Sequence, residues 1–93
     1  MTRVVHVRKD AFDLYIGRAF AEFPESPWCN PFKVESGCGR KCVIERFRRY
    51  LLQKPELLAK LHEVRGKTLG CWCKPKACHG DVIAELADSC GDD

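Results

Sequence analysis

The sequence runs strand, strand, helix, helix, strand, helix. That order predicts a small α/β domain of about three strands, at least one pair of them parallel, with three helices. Three observations carry this. Short apolar alternations stand near the N-terminus and at 68–73, apolar residues recur at helical spacing in three later stretches, and prolines and glycines concentrate between them. The 93 residues suit one domain, 1–93, and hardly two.

Arg3–Arg8 alternates Val5 and Val7 against Val4 and His6, the pattern of a half-buried strand. Lys9-Asp10-Ala11-Phe12-Asp13 turns the chain toward a second strand over Asp13–Ile16, which Gly17 ends. Between Arg18 and Gly39, Pro24, Pro27, Pro31, Gly37 and Gly39 interrupt regular structure. A loop of about twenty residues in so short a domain points to function. A helix then starts near Arg40, with Val43, Ile44, Phe47, Tyr50 and Leu51 on one face and Arg46, Arg48 and Arg49 outside it. A second opens with Pro55 in its first turn, carries Leu57, Leu58 and Leu61, and stops at Gly66. Thr68–Cys73 is the third strand. Asp81–Ala87 is the last helix with Val82, Ile83 and Leu86 inward, and the end from Cys90 frays. The two-helix connection makes strands two and three parallel, and that crossover should be right-handed. Ligands in such sheets gather beyond the carboxyl ends of the strands, which places Gly17-Arg18 and the Cys73–Gly80 loop at one edge.

Such a chain buries only about 60–65% of the surface its unfolded form exposes, so a metal staple would supplement a thin core. Sixteen basic against 13 acidic residues leave a net charge of +3, a mixed surface rather than the basic stripe of a dedicated nucleic-acid binder. No apolar stretch approaches the ~18–20 residues of a membrane span, and the N-terminal run is too short for a signal peptide. The expectation is a cytoplasmic protein with no membrane association. In that reducing setting seven cysteines point to metal ligation or thiol chemistry over a disulfide framework.

The densest chemistry lies in Cys71-Trp72-Cys73-Lys74-Pro75-Lys76-Ala77-Cys78-His79-Gly80-Asp81. Thiolate and imidazole are the ligands Zn²⁺ prefers, and four complete a tetrahedral shell. Strand alternation puts Cys71 and Cys73 on one face and Trp72 on the other. Pro75 turns the chain so that Cys78 and His79 fold back toward that pair. Cys71, Cys73, Cys78 and His79 are therefore the candidate zinc ligands. The competing explanations are that Cys71 is a small buried hydrophobe and that His79 is an exposed helix-start residue, with Asp81 favouring the positive helix N-terminus. Cys29, Cys38 and Cys42 form a second thiol group, either a further metal site or ordinary loop thiols, with Cys38 and Cys42 flanking cationic residues where a helix begins.

Tyr15-Ile16-Gly17-Arg18, Asn30-Pro31-Phe32 and the run from Gly66 through Cys71-Trp72-Cys73 to Cys78-His79-Gly80-Asp81 resemble a family of unknown function found in phages, bacteria and large viruses. The match spans nearly the whole chain. Cys29 stands where that family's pattern has a small residue, and Cys38 is peculiar to this sequence. The resemblance singles out Arg18, Asn30 and Lys67 beside the thiols. Arg18, with a helix N-terminus near Gly80, can hold an anion; its alternative is a surface salt bridge. Asn30 either contacts a ligand or caps the loop backbone.

These residues support a metal-dependent hydrolase. Zinc with three protein ligands keeps one position for water and lowers its pKa toward ~7, with His79 or Asp81 handling protons and Arg18 and Asn30 completing the catalytic set. Cys78 as a thiolate nucleophile is disfavoured because adjacent Cys78 and His79 rarely point at each other. The alternatives are a module for a small-molecule, nucleotide-like or single-stranded nucleic-acid ligand, using Trp28, Phe32 and Trp72 for stacking and Arg46, Arg48, Arg49 and Lys67 for phosphates, or a metal-stapled interaction domain without catalysis.

Overall fold

The computed structural model describes residues 2–20, 22–74 and 76–89; the expectations placed on Pro75 and Cys90 lie outside them. Its elements in chain order are β1 (Arg3–His6), β2 (Leu14–Tyr15), α1 (Arg40–Leu52), α2 (Pro55–Leu58), α3 (Leu61–Val64), β3 (Thr68–Cys71) and α4 (His79–Ser89). The α/β class and the parallel β2–β3 pair are as the sequence predicts, but three helices, not two, make the crossover. Leu57, Leu61 and Val64 are all buried. Their spacing suits one continuous helix, so the break between α2 and α3 leaves no mark on the periodicity.

All three strands are parallel in the order β1-β3-β2. Val4, Leu69 and Leu14 lie in register across the sheet, as do Val5, Gly70 and Tyr15. In-register residues share a face, so the first row meets the helices and the second faces away. Leu69 and Cys71 enter a core with Ile16, Phe47, Leu51, Val82 and Ile83, and Val4 and Leu14 pack against it. The buried stripe of α1 is Val43, Phe47 and Leu51, and α4 packs between α1 and α3. Arg48, outside that stripe, pairs with Glu85 of α4 at 2.5 Å.

A connection between parallel strands of one sheet usually takes a dozen or more residues. The connection between β1 and β2 is only 7–13, and it manages because both strands are short. Phe12, within it, lies over β3 at Gly70. A Cβ there would come within 2.7 Å of the Phe12 ring, so glycine is what lets the connection cross. Asp13 accepts the Thr68 amide through its carboxylate at 2.9 Å and donates its own amide to the Thr68 carbonyl at 2.8 Å. Aromatic side chains cover this face in place of helices. Phe23 stacks on Tyr15 at 4.7 Å and meets Phe12 and Trp72 at 5.8 and 5.9 Å. Trp28, expected to offer a stacking face, is instead buried in the helix-side core.

Helix α4 extends two residues beyond the expected range at each end. Near its C-terminal end, Asp88 accepts the Thr2 amide at 3.0 Å and hydroxyl at 2.6 Å, while Thr2 Oγ1 accepts the Gly66 amide at 2.9 Å. Gly66 ends α3 with φ of 83°, the left-handed stop the sequence predicts.

Two outcomes follow. Phe47 is fully buried, and Phe47→Ala should cost about 3–5 kcal/mol in urea unfolding; a cost below about 1 kcal/mol would mean the α1 core is misplaced. The Thr2 hydroxyl and amide hold the Asp88 carboxyl below the ordinary aspartate range. Its contribution is therefore present above the unfolded aspartate value and lost as pH falls through the folded one. The stability gap between wild type and Asp88→Asn should close below about pH 4, and a gap unchanged down to about pH 2 would exclude this link.

Candidate functional site

The chain leaves β2 at Tyr15, enters α1 at Arg40, leaves β3 at Cys71 and enters α4 at His79, all beside one pocket. Its cavity is about 750 Å³, and its lining includes Arg18, Asn30, Arg40, Cys71, Cys73, Cys78 and His79. The pocket lies where the strand-end rule points, and six of the seven candidate site residues line it; Asp81 does not.

The thiols of Cys71 and Cys78 are buried, and their sulfurs lie 3.3 Å apart. Cys73, half-buried, hydrogen-bonds with both and stands beside Arg40. Donation from Cys71 and Cys78, with help from Arg40, holds the Cys73 thiol far below its ordinary range. Sharing with Cys73 pushes Cys71 up, and the hydrogen bonds to Cys71 and Cys73 push Cys78 up with the aid of burial. The cluster therefore releases one proton readily and retains two. Among the described residues no group of three or more His, Cys, Asp or Glu side chains is positioned to hold a metal ion; the sulfurs hydrogen-bond one another instead.

The turn into α4 explains Cys78 and Asp81. Cys78 precedes the helix, and its sulfur accepts the Gly80 amide at 3.3 Å. Asp81 reaches back to the Cys78 amide at 3.1 Å and takes Lys74 Nζ at 2.5 Å. This is a variant of the capping box, with a thiol in the serine position that accepts the second helical amide instead of the third. Asp81, expected among the catalytic residues, is engaged in holding the helix start. Gly80 lies so close to the sheet that a Cβ would sit 2.6 Å from Ile16 Cδ1.

His79 is buried, with Nε2 2.8 Å from the Ile16 carbonyl and its ring edge-on to Phe47 at 4.9 Å. Burial pushes its imidazole below the ordinary range against the pull of the Ile16 carbonyl, so it is neutral with Nε2 donating. That bond occupies Nε2 and leaves Nδ1, through its lone pair, as the only ring atom His79 can offer to the zinc shell expected for it. Arg18 donates to the carbonyls of Asn30 at 2.8 and 2.9 Å and of Phe32 at 2.7 Å, pinning the long loop. Asn30 Oδ1 accepts the Phe32 amide at 2.9 Å, the loop-capping alternative to ligand contact.

Other expected groups do not reach the site. Cys38 and Cys42 form a disulfide across the start of α1, with Cα atoms 5.2 Å apart, while Cys29 remains a free thiol, so the three form no second metal site. Four-residue spacing at a helix entrance meets the separation a disulfide needs. Lys67 lies by a smaller cavity with Asp13, Lys60 and Glu63, at the opposite end of β3 from Cys71. Arg48 and Arg49 face Glu45, and Arg46 does not line the pocket. Conversely, Arg40, Lys33, Phe20 and Val34 line it without having been singled out. Arg40, between two cysteines at a helix start, is the only one of these with a local sequence signal.

Fold and site together define a small parallel α/β protein with a thiol-floored pocket at its strand ends. The chain belongs to the DUF4326 family, described as a domain of unknown function, whose model matches residues 2–89. It is 35% identical over 92 residues to the "Uncharacterized 12.4 kDa protein in nrdA-td intergenic region" of Enterobacteria phage T4, covering 95% of this chain and 79% of that protein. It is 31% identical over 86 residues to "Uncharacterized protein R718" of Acanthamoeba polyphaga mimivirus, covering 80% of this chain and 65% of that protein. No solved structure matches the chain.

Asp81→Ala removes half of the α4 capping box and the Lys74 partner. It should cost about 0.5–2 kcal/mol in urea unfolding without changing the secondary structure; no loss of stability would refute the capping role.

Proposed function

We propose that this protein is a cytoplasmic zinc-dependent hydrolase that acts on a small ligand in the strand-end pocket. Cys71, Cys73 and Cys78 would be the zinc ligands. The observation that carries the proposal is the three neighbouring thiols on the wall of an open pocket. Four tetrahedral bonds of about 2.3 Å separate sulfurs by about 3.8 Å, so the 3.3 Å between Cys71 and Cys78 requires only a small expansion. As they stand the thiols still share protons, and binding must displace them. With three protein ligands, zinc supplies Lewis acidity at a fourth position.

The surrounding residues support such a site. The Gly80 amide already points at the Cys78 sulfur, and Arg40 and Lys74 place positive charge beside the thiol cluster. Neutral His79 lines the pocket and anchors α4 to the Ile16 carbonyl through Nε2. Arg18 and Asn30 shape the pocket by fixing the loop, and Asp81 fixes the Cys78 backbone.

Protein purified under reducing conditions without chelator should carry about one zinc per chain. The zinc should be lost in Cys73→Ser and Cys78→Ser and kept in His79→Ala. Folded wild-type protein without metal would overturn the zinc assignment. If Cys73 then alkylated much faster than the other thiols, a nucleophilic thiolate would take its place.

A further inference from the structure

Among the described residues the pocket's lining contains three cations, Arg18, Lys33 and Arg40, and no aspartate or glutamate. Chain-wide, acidic residues nearly balance basic ones, 13 against 16, so the segregation is local. Helix α1 opens at the same wall. Its N-cap Gly39 makes no side-chain capping bond, its first turn holds no acidic residue, and the pocket is lined by Arg40, Val43 and Ile44 from that end. The uncapped amides and the helix dipole add to the positive potential of the cations.

The pocket's other character is apolar. Phe20 and Val34 are each 59% exposed, and Leu52 is the only other exposed large hydrophobic among the described residues. Both line this pocket, where Phe32 and Trp72 also contribute. Phe20 is held edge-on to Trp72 at 5.0 Å, and Trp72 Nε1 is fixed on Tyr15 Oη at 2.9 Å. The rim is thus a pre-positioned aromatic surface facing solvent. A volume near 750 Å³ lies within the range of small-molecule sites, about 300–1,000 Å³.

We infer that the ligand is of the nucleotide class: a phosphate monoester carrying a flat heteroaromatic ring, its phosphate toward Arg40 and the α1 N-terminus and its ring against Phe20. A doubly charged phosphate matches a cation-lined wall beside a helix N-terminus, and a π-face matches an exposed aromatic. The inference names the ligand of the site proposed above and rests on that pocket being the working site; it does not depend on the metal.

The test is calorimetric titration with purine and pyrimidine nucleoside 5′-monophosphates, the corresponding nucleosides, inorganic phosphate and a short single-stranded oligonucleotide. At least one monophosphate should bind saturably, roughly tenfold tighter than its nucleoside or inorganic phosphate. Arg40→Gln should weaken it roughly tenfold and Phe20→Ala severalfold. If Arg40→Gln fails to fold, Lys33→Gln, at an exposed position, decides by the same loss. The inference is overturned if no monophosphate binds below about 1 mM, if the folded charge variants bind as wild type does, or if the oligonucleotide binds more tightly than every monophosphate. Zinc measured on the same samples separates the two proposals. Zinc without nucleotide binding removes only the ligand class, and nucleotide binding without zinc removes only the metal.

Discussion

Central strand β3 is the constraint from which the rest follows. It pairs in parallel with both β1 and β2, so all three strands finish at one edge. Parallel pairing demands that each strand be re-entered from its amino end, and the chain meets that demand in two ways. Three helices carry it from β2 back to β3, whereas residues 7–13 carry it from β1 to β2 across the bare backbone of Gly70. Because Gly70 has no side chain, Phe12 can lie against the sheet and begin an aromatic layer on the face that lacks helices. The long loop after β2 supplies Phe20 and Phe23 to that layer and then the Asn30–Phe32 wall of the pocket. Its length reflects the need to cover a sheet face and still reach the start of α1.

At the exit of β3 one short segment must stop a strand, start a helix and hold three thiols together. Cys78 links these requirements, since its sulfur accepts an amide of α4 while contacting Cys71. Asp81 secures the same residue through its backbone. The Gly80 amide favours an ionised Cys78 sulfur, but the hydrogen bonds to Cys71 and Cys73 and burial outweigh it, so the same thiol joins helix start and cluster. A ligand entering the shell of Cys78 would therefore act on the start of α4 as well as on the pocket.

The polar residues of the site divide by what the backbone requires of them. Arg18, Asn30, His79 and Asp81 are each committed to loop or helix backbone through short, well-formed bonds. Arg18 still adds positive charge to the pocket while it holds the loop. Arg40 donates to the Ala77 carbonyl at 3.0 Å and lies beside Cys73, joining the start of α1 to the loop before α4. The site is thus braced between two helix beginnings, and its charge is imposed by groups that also hold the frame.

The α/β class, the apolar face of α1, the stop at Gly66 and the gathering of Arg18, Asn30 and the thiols at one edge were legible in the residues. Each rests on local periodicity, backbone restriction or a topological rule that needs no partner coordinates. The division of α2 from α3 was not legible, because Leu57, Leu61 and Val64 keep helical spacing through the break. Nor was the burial of Trp28, since an aromatic in a proline-rich loop carries no sign of which face it will cover. Local motifs and the strand-end rule were enough to nominate the groups that gather beyond the parallel strands: three thiols, a histidine and an arginine. The partner each one takes there was not readable in advance, because a hydrogen bond to a distant carbonyl, such as His79 to Ile16 or Arg18 to Asn30, depends on where the folded backbone brings that acceptor.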